Sequence, residues 1–347
     1  GSSIKMIIQK EKPEKPLPLL DKRQLEVAIE FAKETFSAKL SNSLNLLKVS
    51  APLLLSKSSG LNDNLNGIEE PVQVRIKSHG TAEVVQSLAK WKRFRLKELS
   101  IPEGHGLYTN MNALRQDEDL SNIHSVYVDQ WDWEKHICKA DRSIPFLKNQ
   151  VSKIYKALVD TEKLIESIYP ELHAILPEQI HFIHSEDLAL MYPKLSPKER
   201  EHQLSKSHGA VFIIGIGGEI NGYSKPHDDR APDYDDWSTP TFASYKGLNG
   251  DLIVWHPGLG HSIELSSMGI RVDKAALAVQ LAISDELQRE QFPFHQAVLK
   301  NELPLSIGGG IGQSRVVMFL LKKSHIGEVQ HGIWPEQLDQ LNNIDFL

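Results

Sequence analysis

Most of the short apolar runs in this chain alternate with polar residues, and that alternation limits what the chain can fold into. The runs are PVQVRI from Pro71, SVYVDQWDW from Ser125, IHFIH from Ile180, AVFIIGI from Ala210, DLIVW from Asp251 and SIELSS from Ser262. Side chains on a strand point to opposite faces in turn. Alternation therefore marks strands with two unlike faces, which favours antiparallel pairing over a doubly covered parallel sheet. Helical periods lie between them. Leu25, Ile29, Ala32 and Phe36 recur at spacings of three and four from Arg23 onward. Leu147, Val151, Ile154, Leu158, Ile165 and Ile168 share one face of a longer helix. A strand-like LNLLKVSAPLLL follows the first helix and is interrupted by Pro52. With no βαβ regularity and no internal repeat, the fold class is α+β.

At 347 residues, 40% hydrophobic, the chain can bury a sizeable core. Its 39 basic and 45 acidic residues leave a net charge of −6, so no global basic field attracts nucleic acid. Cys138 is the only cysteine, which rules out an intrachain disulfide framework and a thiolate zinc site. A reducing, cytoplasmic setting is expected. No apolar run approaches the ~18 residues that span a bilayer, and the N-terminal residues lack the apolar core of a signal peptide. Gly1-Ser2-Ser3 reads as a cloning remnant, and QKEKPEKPLPLL, residues 9–20, as a flexible lead-in. Residues 1–22 are thus expected to be an extension and 23–347 one catalytic domain.

Two glycine runs invite a nucleotide-loop reading and fail it. Gly308 to Gly312 would need a glycine where Arg315 stands, and Gly215 to Gly218 lacks its third glycine. Neither is followed by the Gly-Lys-Ser/Thr of a P-loop. His181, His184 and the His227-Asp228-Asp229 loop are better read as ordinary core or surface groups than as ligands.

Three segments carry more polar chemistry than a scaffold needs. In the first, YTNMNALRQDED (Tyr108 to Asp119) leads into HSVYVDQWDWE (His124 to Glu134), a hairpin with Arg115 beside its loop. Asp129, Gln130 and Asp132 interrupt its otherwise aromatic return strand, and buried polar groups of that kind demand partners. In the second, Asp251 and Glu264 lie on successive strand-like runs and offer two hard oxygen ligands, as Mg²⁺ with phosphates requires. In the third, GGGIGQSRVVMFLL runs from glycines into a helix with Arg315 in its first turn. A cation there opposes the helix dipole, which suggests a role for its planar fork.

Together these segments resemble the three signature motifs of class II aminoacyl-tRNA synthetases: the helix–strand–proline ending at Pro52, the hairpin with Arg115 and the helix with Arg315. More narrowly, HSVYVDQWDWE, RAPDYDDWSTP, ELSSMGIRV and GGGIGQSR resemble the ammonia-dependent asparagine synthetases, the aspartate–ammonia ligases. That resemblance runs from about Arg23 to the C-terminus. It implies synthesis of L-asparagine from L-aspartate, ammonia and ATP through a β-aspartyl-adenylate, releasing AMP and pyrophosphate.

By the same resemblance, Lys92 and Arg271 would grip one aspartate carboxylate, and Ser87, Gln130, Asp132 and Asp235 would line the substrate site. Arg115 and Arg315 would hold the phosphates, Ser267 would join the ATP site, and Asp251 and Glu264 would hold Mg²⁺. Asp63, in LNDNLNG with its turn-forming Asn66-Gly67, matches an aspartate of the family's active site and would attract ammonium. Arg115, Arg315, Gln130 and Asp63 would be the catalytic set. The resemblance further implies a homodimer through about Phe31 to Leu55. No tRNA partner is expected, since an anticodon-binding barrel has no room before the first motif. The alternatives are a stand-alone aspartyl-adenylate synthetase acting on tRNA or another acceptor, and a regulatory amino-acid-binding protein.

Overall fold

The computed structural model describes residues 20–63, 69–335 and 344–347; the lead-in through residue 19 and the Asn66-Gly67 turn lie outside the described residues. Helix α1 (Lys22–Leu44) starts where Asp21 accepts a hydrogen bond from the Gln24 amide at 2.8 Å, satisfying a donor the helix cannot use itself. It buries Leu25, Ala28, Ile29, Ala32, Phe36, Leu40 and Leu44, the expected stripe.

The expected LNLLKVSAPLLL strand is divided in two. Leu46–Lys48 forms β1 and Leu54–Ser56 forms β2, in different sheets, with Pro52 between them. A proline has no amide proton to continue a ladder, so the chain leaves one sheet there and enters another.

The chain continues through β3 (Gln73–Ile76), β4 (Gly80–Val84), α2 (Ala89–Glu98), β5 (Gly106–Leu114), β6 (Tyr127–His136) and α3 (Ile144–Ile168). Then come β7 (His181–His184), α4 (Ser185–Met191), α5 (Pro197–His208), β8 (Ala210–Ile214), β9 (Asn249–His256) and β10 (His261–Ile270). Helices α6 (Lys274–Ile283) and α7 (Pro293–Leu299), strand β11 (Ser306–Gly312) and helix α8 (Gln313–Leu320) follow. Among the described residues the large sheet has eight strands in the order β1-β5-β6-β11-β10-β9-β8-β7, and a smaller one has the order β2-β4-β3. In the large sheet the inner pairings are antiparallel, as the alternation implied, and only the outermost pairs, β1 with β5 and β7 with β8, are parallel.

The two faces of the sheet differ. On β6, Trp131 and Trp133 point into the main core, where the Trp131 ring lies 4.8 Å from that of Phe36 on α1. The period of two sends Gln130, Asp132 and Glu134 to the opposite face. On the neighbouring strand β11, glycines keep that face open. A methyl group on Gly308 would collide with the Glu134 carboxylate, and one on Gly310 with the Gln130 amide. The glycine run is therefore a strand cleared for its neighbours' polar side chains, and Gly312 stands at the N-cap of α8.

Candidate active site

The polar face of the sheet floors a cleft of about 430 Å³. Its lining includes Ser87, Lys92, Arg115, Gln130, Asp132, Asp235, Glu264, Ser267, Arg271 and Arg315. Asp251 reaches the same place through its bonds to Ser267 and Arg230. Residues chosen from five stretches of sequence are thus gathered at one surface. A larger cavity of about 550 Å³, bounded by Arg142, Phe182, His184 and Tyr245, gathers none of them.

One end of the cleft is a buried charge cluster. The Lys92 ammonium is 1% exposed and donates to Asp132, to the Trp133 carbonyl at 2.9 Å and to the Gly309 carbonyl at 3.1 Å. Arg271 spreads its guanidinium over Glu134, with Nε to Oε2 and Nη2 to Oε1 both 3.1 Å, while Nη1 donates to Asp235 at 2.5 Å. Ser306 also donates to Glu134, at 2.7 Å. Burial works to raise the Glu134 pKa, but Arg271 and Lys92 outweigh it and hold the carboxyl below its usual range. Asp235 goes the other way: burial raises it more than Arg271 and Arg230 lower it. The two expected carboxylate-gripping cations meet through Glu134, 3.6 Å from Lys92, and both are occupied by internal acids.

The other end is cationic. Arg315 leaves the first turn of α8, where Nε donates to the Ile123 carbonyl at 3.0 Å and Nη1 to the Glu264 carbonyl at 2.9 Å. Burial lowers its pKa and neighbouring Arg115 adds to that, against the pull of Glu264. Arg115, just past β5, donates to the Gln86 carbonyl at 3.1 Å, and its buried Nε has no partner among the described residues. Two guanidiniums kept near each other under cover call for an anion between them. Asp129 serves a different purpose: it lines the cleft, yet accepts from the Ser314 amide at 3.1 Å and hydroxyl at 2.7 Å, so β6 caps α8 and fixes Arg315's approach.

Between the ends, Asp251 on β9 and Glu264 on β10 share the Ser267 hydroxyl, at 2.8 and 3.0 Å. Burial drives the Asp251 pKa up despite Arg230, whereas at Glu264 burial is outweighed by Arg230, a hydrogen bond with Asp251, Arg315 and Lys198 together, which hold it at about 2. Among the described residues no group of three or more His, Cys, Asp or Glu could hold a metal. Two carboxylates and a hydroxyl nevertheless fit Mg²⁺, which uses few protein ligands and completes its shell with phosphate and water. The Arg230 guanidinium, drawn onto both acids, shows that the site attracts a cation.

Asp63 does not line the cleft; it is buried, 3% exposed, with Oδ2 unpartnered among the described residues. Burial pushes its carboxyl up to about 6, opposed by Lys90 and reinforced by Asp233. Asp233 is itself held by Lys90, Arg289 and His295 at 3.0 to 3.2 Å. The Gln86 side chain is likewise buried with neither polar atom paired among the described residues. Sequence reasoning passed over Glu134, although it continues the period of Gln130 and Asp132. It also passed over Arg230, whose partners in the acid pair, Asp251 and Glu264, lie 21 and 34 residues away in sequence.

The sheet order, the hairpin beside Arg115 and the helix behind Arg315 define the class as a class II aminoacyl-tRNA synthetase-like catalytic core. Solved structures share that fold. Asparaginyl-tRNA synthetase from Entamoeba histolytica in complex with asparaginyl-adenylate matches 89% of this chain and 66% of its own, with TM-score 0.65 and 13% identity. The corresponding Pyrococcus horikoshii complex matches 90% and 70%, with TM-score 0.66 and 14% identity. Sequence narrows the class. A family model described as aspartate-ammonia ligase matches residues 23–344. The aspartate–ammonia ligase of Bacteroides fragilis is 53% identical over 94% of this chain and 95% of its own. That of Clostridium perfringens is 52% identical over 95% and 97%. The chain belongs to the aspartate–ammonia ligase family. No helix among the described residues is long and apolar enough to cross a membrane.

Proposed function

We propose that this chain makes L-asparagine from L-aspartate, ammonia and ATP through a β-aspartyl-adenylate. The observation that carries the reading is the adjacency, in one cleft, of an amino-acid-shaped charge cluster and a two-arginine anion site. Lys92 and Arg271 offer a clamp for the aspartate α-carboxylate. Asp132 and Asp235, which now neutralise them, are free to take the α-ammonium once the substrate's own carboxylate has replaced them. Arg115 and Arg315 hold the phosphates. Asp251, Glu264 and Ser267 are the residues that would hold Mg²⁺, which when bound neutralises phosphate charge.

In the first step a β-carboxylate oxygen attacks the α-phosphorus and pyrophosphate leaves. The guanidiniums act by stabilising charge that builds on the phosphates. In the second step ammonia attacks the activated carbonyl carbon, and AMP leaves with one of the original carboxylate oxygens. Gln130, which lines the cleft with Lys92 and Arg271, would hydrogen-bond the acyl group. Asp63 lies outside the cleft lining but acts electrostatically on the lining residues Arg115 and Tyr234, and its part would be to draw ammonium toward the cleft, a role supported by its burial and a pKa of about 6.

The chain is further proposed to be a cytoplasmic homodimer. Val27 on α1, and Leu47 and Leu53 around β1, are each more than half exposed, which supports an apolar contact over the segment from Phe31 to Leu55 and its flank. Purified protein given aspartate, ATP, Mg²⁺ and ammonium should yield asparagine, AMP and pyrophosphate. Acceptance of the aspartyl group by bulk tRNA in place of ammonia would favour the stand-alone synthetase instead.

A further inference from the structure

Arg230 follows the exposed Asp228-Asp229 turn, and its side chain is only 11% exposed. Its stem is closely packed: a methyl group on Gly217 would press on the Arg230 Cβ. The head reaches the acid pair. Nη2 donates to Asp251 Oδ1 and, at 3.1 Å, to the Ser267 hydroxyl, and lies 3.7 Å from Glu264 Oε1. Nη1 donates to the Asp229 carbonyl at 2.8 Å and to Asp228 at 3.3 Å. A single cationic nitrogen thus stands among the two carboxylates and the hydroxyl that make the metal-type donor set. Two neighbouring carboxylates, Asp251 buried and Glu264 a third exposed to the cleft, repel each other at short range and favour such a charge between them.

We infer that Arg230 is the resident counter-cation of this acid pair in the nucleotide-free protein and is exchanged for Mg²⁺ when the metal arrives with ATP. The inference rests on Asp251 and Glu264 being the metal acids. A guanidinium suits the exchange because its planar fork bonds carboxylate and phosphate equally well, and its unbranched stem lets the head turn. Free metal must displace Arg230 into a cleft already crowded with Arg115 and Arg315. Metal accompanied by nucleotide supplies phosphates for the displaced guanidinium. Metal and nucleotide binding therefore reinforce one another, and by linkage they do so reciprocally.

The test is a Mn²⁺ titration of the nucleotide-free protein, read by loss of the free-ion electron paramagnetic resonance signal, with no turnover involved. Arg230→Gln should bind Mn²⁺ at least about tenfold more tightly than wild type, since a unit charge beside the site is removed. Arg230→Lys should stay near wild type, and adding Glu264→Gln to Arg230→Gln should abolish the gain. An unchanged affinity in Arg230→Gln, or a gain that survives Glu264→Gln, overturns the inference. If Arg230→Gln does not fold, wild type decides alone. Mn²⁺ bound as tightly without nucleotide as with a saturating non-hydrolysable ATP analogue overturns it; binding at least about tenfold weaker supports it. None of these readouts requires asparagine to be made, so failure of the proposed reaction and failure of this inference are told apart.

Discussion

Replacing Asp63 by Asn should make the protein more stable and less productive, and the size of both effects follows from its burial. The carboxyl is 3% exposed and its pKa is pushed up from 3.8 to about 6. That rise corresponds to about 3 kcal/mol in favour of the neutral form, at 1.36 kcal/mol per tenfold. The folded pKa is the higher one, so ionisation favours the unfolded chain. Stability is unaffected below pH 3.8 and falls as pH rises through about 6. An amide removes the penalty, less about 1 kcal/mol for burying its own polar atoms. Asp63→Asn should therefore gain roughly 1–3 kcal/mol at pH 8 in urea denaturation, and the gain should shrink by about 1 kcal/mol at pH 5. Aspartate-dependent pyrophosphate–ATP exchange should survive, while asparagine formation falls by about two orders of magnitude. A gain that does not depend on pH, or a net loss at pH 8, would refute the electrostatic reasoning. Equal loss in both activity assays would move Asp63 to aspartate binding.

Lys92→Ala and Arg271→Ala should each weaken aspartate binding by about 1.5–3 kcal/mol in calorimetry while ATP affinity changes little. Arg271→Ala should also lower stability by about 3–5 kcal/mol, because buried Glu134 loses its bidentate partner and Asp235 its own. Gly310→Ala sets a methyl against the Gln130 amide and should cost about 1–3 kcal/mol of stability together with most of the turnover, measured by melting and by initial rates. Leu53→Asp, at a 56% exposed apolar position, should shift sedimentation from dimer to monomer.

The sequence disclosed elements better than it disclosed pairings. The strand through Asp129, Gln130 and Asp132 was visible because its polar residues break an aromatic run, and their partners proved to be Ser314 for Asp129 and Lys92 for Asp132. Alternation also told the orientation of the inner strands, though it is silent about edges, where β1 and β7 pair in parallel. Pro52 was read as an interruption of one strand, whereas it separates two strands of different sheets. Asp132 and Asp235 were named as substrate-site residues, but their pairing with Lys92 and Arg271, and the part of Glu134, were not foreseen. These acids come from β6 and from the loop at Asp235, and only the folded sheet brings them within reach. Arg230 was hidden for the same reason. Asp63 was picked out by resemblance alone, since within LNDNLNG it looks like any turn residue.

Oxygen transfer tests the central claim most directly. Aspartate carrying ¹⁸O in its β-carboxylate should be incubated with ATP and ammonium, and the nucleotide product examined by mass spectrometry. A β-aspartyl-adenylate leaves one labelled oxygen on the phosphate of AMP for each asparagine formed. Unlabelled AMP, or ADP with the label in inorganic phosphate, would contradict the account.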